Sequence, residues 1–144
     1  MQKLFIFIVT LVPVMAFSQY QQNGETDATD LRWPDGKQAA ISLTFDDARP
    51  SQLDNGVPVL DRYDVKATFY VSPHNMENRI PDWKSATGNG HELGNHSMTH
   101  PCTGNYQFSL DNPLESYDLE TIASDIHQAN EWVQDHLDIE METF

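Results

Sequence analysis

Basic residues, cysteine and long apolar runs are all scarce in this chain. Lysine and arginine number 8 against 22 aspartates and glutamates, a formal charge of −14 over 144 residues. A surface that acidic repels nucleic acid and anionic bilayers, so neither is an expected partner. Cysteine occurs once, at Cys102, which excludes a disulfide within the chain as it stands. A free thiol, an intermolecular bridge or a partner outside these residues is left open. No apolar run reaches the roughly 20 residues that a membrane-spanning helix needs. Internal repeats and low-complexity tracts are absent. Gly88, Gly90 and Gly94 are spaced wrongly for G-x-G-x-x-G, which excludes that dinucleotide fingerprint. His91-Glu92 opens like a zincin motif, but Asn95 stands where the second histidine belongs, and Gly90 and Gly94 interrupt the required helix.

The one sizeable apolar stretch lies at the start. Lys3 precedes the run Leu4–Val14, and Ala16 and Ser18 supply small residues at the positions a signal peptidase requires. Residues 1–18 are therefore expected to be a signal peptide cut after Ser18. The mature protein would be secreted or periplasmic, without stable membrane insertion. Residues 19–37 are polar and lack an apolar period, as a flexible lead-in would. Trp33-Pro34-Asp35-Gly36 makes a turn into the folded part, residues 38–144.

From there the pattern alternates between strand and helix. Ala39–Phe45 places Ile41, Leu43 and Phe45 at every second position and ends in Asp46-Asp47. A short helix follows, with Asn55 or Gly56 ahead of it, Pro58 in its first turn and Val59, Leu60 and Tyr63 expected inward. Val65–Val71 is a second strand, rich in β-branched and aromatic residues. Pro81–Thr87 reads as a helix closed by Gly88. His91–Gly94 is a brief third strand. The longest helix is expected over Ser116–His136, with Leu119, Ile122, Ile126, Ala129, Val133 and Leu137 inward and Glu120, Asp125 and Gln128 outward. Ile139–Phe144 begins a fourth strand, so the domain is expected to continue beyond Phe144, because an open strand edge is normally avoided. This order predicts a parallel sheet wrapped by helices, a class in which ligands gather at the carboxyl ends of the strands.

Both chemically suggestive clusters fall at such ends. His96 and His100, in H-S-M-T-H, are four residues apart, one turn if the segment is helical, and can then share one metal ion. A carboxylate from the Asp46-Asp47 pair can complete the set. With Asp47, His96 and His100 as ligands, positions remain open for water and substrate. Asp46, beside a ligand and facing another way, can then serve as general base on the water. Either motif alone has a plain structural use, Asp-Asp as turn chemistry and H-x-x-x-H as an ordinary loop. Their coincidence at strand exits points to a hydrolase acting on an amide or ester carbonyl.

T-F-D-D at Thr44–Asp47 with H-S-M-T-H at His96–His100 resembles the polysaccharide deacetylases of carbohydrate esterase family 4 (the NodB homology domain). The intervening K-A-T-F-Y-V and W-K-S-A-T-G-N-G-H-E-L-G-N-H look like the same family, and the resemblance runs over 38–144. It implies a distorted (β/α) barrel, of which this chain holds the part up to about the third or fourth strand. It also implies Asp46 as catalytic base, Asp47, His96 and His100 as metal ligands, and Ser97 as a residue that steadies the loop. The metal would be zinc, with cobalt, nickel or manganese as alternatives. The substrate would be an acetylated polysaccharide of the chitin, peptidoglycan or xylan kind. Ala48-Arg49 departs from the glycine the family usually places after T-F-D-D. The later family motifs, including a histidine acting as general acid, are absent from these residues, so the chain on its own is expected to be a poor catalyst. A non-catalytic, metal-containing glycan-binding module is the competing reading. A phosphoryl-transfer site is a weaker one, since it leaves both histidines unexplained.

Overall fold

Three short strands carry apolar side chains on one face and polar ones on the other, and helices cover the apolar face. A computed structural model describes residues 33–144. The signal-peptide segment and most of the lead-in lie outside the described residues. Within the lead-in, Pro34–Gly36 forms a single 3-10 turn, with Asp35 and Gly36 both at positive φ.

The elements are β1 (Thr44–Asp46), α1 (Val57–Arg62), β2 (Thr68–Val71), α2 (Ile80–Gly88), β3 (Glu92–Asn95) and α3 (Leu119–Leu137). The strands form one parallel sheet in the order β1-β2-β3. Phe45 pairs with Phe69 and Phe69 with Leu93, so these three form a row across one face. Trp83 of α2 meets the edge of the Phe69 ring, with centroids 5.5 Å apart. Val133 and Leu137 of α3 and Met141 beyond it complete the core. Burying side chains of this size contributes about 1.5–3 kcal/mol each. The opposite face is polar: Thr44, Asp46, Thr68, Tyr70 and Glu92 occupy the alternate positions, and the Thr68 hydroxyl donates to Glu92 at 2.5 Å.

Several expectations are corrected. The first strand is shorter than Ala39–Phe45, and Ile41 is 88% exposed. As β1 pairs on one side only, nothing among the described residues covers that end. Around α1 the inward residues are Leu53, Val57 and Leu60, whereas Val59 and Tyr63 are exposed. The cause is a π-helical turn, Gln52–Gly56, running directly into α1, in which the Val57 amide donates to the Gln52 carbonyl. This wider turn starts the helical stretch earlier and rotates its buried face. Gly88 closes the last turn of α2 from inside, and Gly90, at φ +95°, makes the left-handed turn toward β3.

The longest helix starts at Leu119, later than expected, because Asp118 caps it by accepting the Thr121 amide at 2.8 Å. Leu119 itself is exposed, and Asp125, expected outside, is buried. Residues 139–144 lie beside β3 without completing a ladder: the Asn95 amide donates to the Thr143 carbonyl at 2.8 Å. Gly94 gives this approach its room, since a Cβ there would lie 2.6 Å from the Tyr70 ring and 2.7 Å from the Thr143 hydroxyl and force one of them to shift. His91 is a structural link. It is buried, its Nδ1 accepts the Ala67 amide at 3.2 Å, and its Nε2 is therefore the protonated nitrogen that faces Asp61 at 3.1 Å. No helix among the described residues is long and apolar enough to cross a membrane.

Candidate metal centre

Strands β1 and β3 end on the same edge of the sheet, and the residues that follow them meet there. Beyond β3 the chain runs through His96–His100 as an irregular loop, so the four-residue spacing does not act through a helical turn. Ser97 and His100 both adopt positive φ, at 62° and 49°. Non-glycine residues resist that conformation, so it persists only where surrounding bonds enforce it.

Those bonds are present for every backbone amide from Asn95 to His100. Asn95 donates to the Thr143 carbonyl and His96 to the Val71 carbonyl at 3.1 Å. The Ser97 amide donates to the Asn95 side chain at 2.6 Å. The Met98 and Thr99 amides both donate to the Asp125 carboxylate, at 3.0 and 3.2 Å. The His100 amide donates to the Ser97 hydroxyl at 3.0 Å. Asn95 is buried and donates in turn to the Ile126 carbonyl and the Asn130 side chain of α3. The loop is thus a fixed cast around two imidazoles, with no orphan donor.

The β1 side is built differently. Asp47 and Ala48 follow the strand with φ of 74° and 53°, which swings the Asp47 side chain back over the sheet edge. The Asn75 side chain holds the Asp47 carbonyl at 2.7 Å, and Gln52 holds that of Asp46 at 2.5 Å. Arg49 donates from both Nε and a terminal nitrogen to Asp47 Oδ2, at 3.1 and 2.8 Å. That leaves Oδ1 free, and it lies 3.4 Å from Nε2 of both His96 and His100. Partial burial pushes the Asp47 carboxyl up, but the Arg49 hydrogen bond and the charges of Arg49, His100 and His96 outweigh it. The net displacement is below the usual carboxylate value.

One carboxylate oxygen and two imidazole nitrogens therefore converge, all within 4.8 Å of one another. Tetrahedral bonds of about 2.0–2.1 Å place neighbouring ligand atoms roughly 3.3 Å apart, close to the two 3.4 Å edges found here. The donor set and its spacing fit a divalent metal. Asp46, the last residue of β1, is exposed and stands outside this cluster. A cleft of about 510 Å³ opens beside the cluster, lined by Asp47, His100, Arg49, His74, Asn75 and Phe108 among others.

Asp125 is the residue that sequence reasoning missed. Its signal was positional: it falls between Ile122 and Ile126 and four residues before Ala129, inside the stripe that faces the core.

An α/β sheet with a carboxylate–imidazole cluster at its carboxyl edge defines the class of this domain. The sequence model for polysaccharide deacetylases matches residues 34–144. The chain belongs to the polysaccharide deacetylase family. It is similar to a gellan lyase of a Bacillus species, 33% identical over 87 residues, 58% of this chain and 3% of that protein. It is similar also to the peptidoglycan-N-acetylglucosamine deacetylase of Listeria monocytogenes, 40% identical over 62 residues, 42% of this chain and 13% of that protein. Among solved structures, a family 4 acetyl xylan esterase from Clostridium thermocellum, in complex with a cobalt ion, superposes with a TM-score of 0.53. It is 26% identical, and the match covers 70% of this chain and 45% of that one. The first curated relatives are much longer, and the match spans between 3% and 21% of their length. The fold is that of the carbohydrate esterase family 4 barrel domains, with three parallel strands among the described residues.

Proposed function

We propose that this protein is a metal-dependent deacetylase that removes N- or O-linked acetyl groups from a polysaccharide. The observation that carries the reading is the meeting of Asp47 Oδ1 with two histidine Nε2 atoms at 3.4 Å each. Asp47, His96 and His100 would hold the ion, zinc first and cobalt, nickel or manganese as alternatives. When bound, such an ion polarises an acyl carbonyl and acidifies water. Asp46 would take the proton from the attacking water, its carboxylate being the next along the chain from the Asp47 ligand. Arg49 keeps the Asp47 carboxylate ionised and turned so that Oδ1 faces the imidazoles. The Asp125-braced loop holds those imidazoles without reorganisation during turnover.

Family membership supports a polysaccharide substrate, and relatives named for peptidoglycan and for acetyl xylan support an acetyl group on a sugar. Placement outside the cytoplasm rests on residues 1–18 and suits a cell-wall or plant-wall glycan.

The test is zinc titration together with acetate release from acetylated chitooligosaccharide, peptidoglycan and xylan. One zinc per chain and slow acetate release are expected. Asp46→Asn should lower release by about 10²–10⁴-fold while zinc binding is kept. A chain that holds no divalent ion sinks the proposal. The exposed position of Asp46 favours one second reading, a metal-holding glycan-binding module. Glycan binding with no acetate from either wild type or Asp46→Asn would select it.

A further inference from the structure

Metal ligands account for only part of the cleft. Phe108 lines the same cleft as Asp47 and His100, yet it has no part in metal chemistry or in the core. Phe108 is 75% exposed, and its ring lies nearly parallel to that of Tyr106, itself 53% exposed, with centroids 5.4 Å apart and planes 14° apart. Two apolar rings standing in water run against the hydrophobic driving force, and such patches mark binding surfaces.

The loop that carries them is braced rather than loose. The Leu114 amide donates to the Cys102 carbonyl at 2.9 Å and closes its base. Glu115 accepts from the Thr103 hydroxyl and from the Gly104 amide, and these bonds hold its carboxyl below the usual glutamate value. Ser109, between the ring residues and the loop base, is buried and donates its amide to the Tyr106 carbonyl. The Tyr117 hydroxyl bonds to Asn112 on one side and to Thr99 of the histidine loop on the other. The loop that carries Phe108 is thereby linked by hydrogen bonds to the histidine loop.

The polar residues Arg49, His74, Asn75 and Thr99 line the same cleft. A ligand with one flat apolar face and a hydroxylated rim matches that lining. A pyranose with all substituents equatorial has this shape, since its axial C–H bonds leave both faces apolar. We propose that Phe108, backed by Tyr106, is a stacking subsite for a β-linked, glucose-configured sugar of the polysaccharide whose acetylated residue sits at Asp47, His96 and His100. This inference rests on the deacetylase reading for the identity of the chain that occupies the cleft.

The test uses the whole 144-residue chain with zinc and N-acetylchitotetraose, with N-acetylglucosamine as control. Saturation-transfer NMR should show the tetrasaccharide in contact with the Phe108 and Tyr106 rings. Phe108→Ala should weaken its binding about 10-fold, the scale of one aromatic stacking contact. Phe108→Trp should restore it, and zinc affinity should be the same in all three proteins. Equal binding by wild type and Phe108→Ala, or no binding by wild type, overturns the subsite. Self-association that Phe108→Ala abolishes, without sugar contact, gives the rings to a second copy and overturns it too. Acetate release measured on the same samples separates the two readings. Ring-dependent binding without acetate leaves the subsite and favours the glycan-binding reading of these residues, whereas acetate release with ring-independent binding keeps the deacetylase and overturns the subsite.

Discussion

The two halves of the carboxylate–imidazole cluster are held in different ways. The histidine half, Asn95–His100, has every backbone amide bonded, and its anchors Asn95, Ser97 and Asp125 are buried. The aspartate half, Asp46–Arg49, is held by the exposed Arg49 and Asn75 and the half-buried Gln52. Arg49 is 70% exposed at its side chain, and Gln52 and Asn75 reach only backbone carbonyls. A buried, fully bonded network resists displacement because breaking any link strands a polar group away from water. A surface pair gives up little when broken, because water replaces the partner. The histidine pair therefore acts as the fixed template, and the Asp47 carboxylate is the member that can adjust to an incoming ion.

The largest effect should come from breaking the template. Asp125→Ala removes the acceptor of two partly buried amides, and a loss of about 1–3 kcal/mol in stability is expected. Divalent-metal affinity should fall by about 10–100-fold, as for other residues that orient metal ligands. Chemical denaturation gives the first, and titration of cobalt followed by its visible spectrum gives the second. A cobalt spectrum and affinity equal to wild type would show that the loop holds its shape without Asp125.

Breaking α3 at its start should do less, since the Asp118 side chain bonds only Thr121 of the helix's own first turn. Asp118→Ala deletes the cap on Thr121, and a drop on the order of a few degrees in the melting midpoint is expected. The Thr121 hydroxyl, then the Thr121 amide, hold the Asp118 carboxyl below its ordinary value. Its contribution is thus complete above the unfolded carboxylate value and fades as pH falls through the lower folded one. Melting curves of wild type and Asp118→Ala should converge in acid. Curves that stay parallel would mean that the cap contributes nothing through its charge.

The smallest effect belongs to the aspartate half. Arg49→Ala should change stability by no more than about 0.5 kcal/mol. It should still return the Asp47 carboxyl upward, because Arg49 supplies the main opposing pull on it. A carbon-detected NMR titration of Asp47 reads this directly. A stability loss as large as that of Asp125→Ala would erase the contrast between the halves.

Periodicity carried much of the architecture. Phe45, Phe69 and Leu93 fall at alternate strand positions, and Ala129, Val133 and Leu137 at helical ones, so strand–helix alternation and the parallel sheet are legible from spacing alone. The triad was also legible, as Asp47, His96 and His100 sit where strands end. Spacing failed where the backbone leaves regular geometry. The π-turn at Gln52–Gly56 rotated α1 away from Val59 and Tyr63. H-x-x-x-H suggested a helical turn, yet the residues form a loop with two left-handed conformations.

Residue identity and order thus determined the family, the order of elements and which side chains supply the carboxylate–imidazole cluster, because each depends on local pattern. The convergence of those side chains was decided only in three dimensions. Asp125 lies within the core-facing stripe of α3, but only the packing of α3 against the β3 exit sets its carboxylate on two amides of the histidine loop. Arg49 reads as a departure from a motif until the turn at Asp47 and Ala48 folds it onto a carboxylate. Phe108 carries no local signal, and only the folded loop brings it to the cleft that Asp47 and His100 line. Hydrogen bonds between residues distant in sequence depend on how elements pack, and no local pattern encodes that packing.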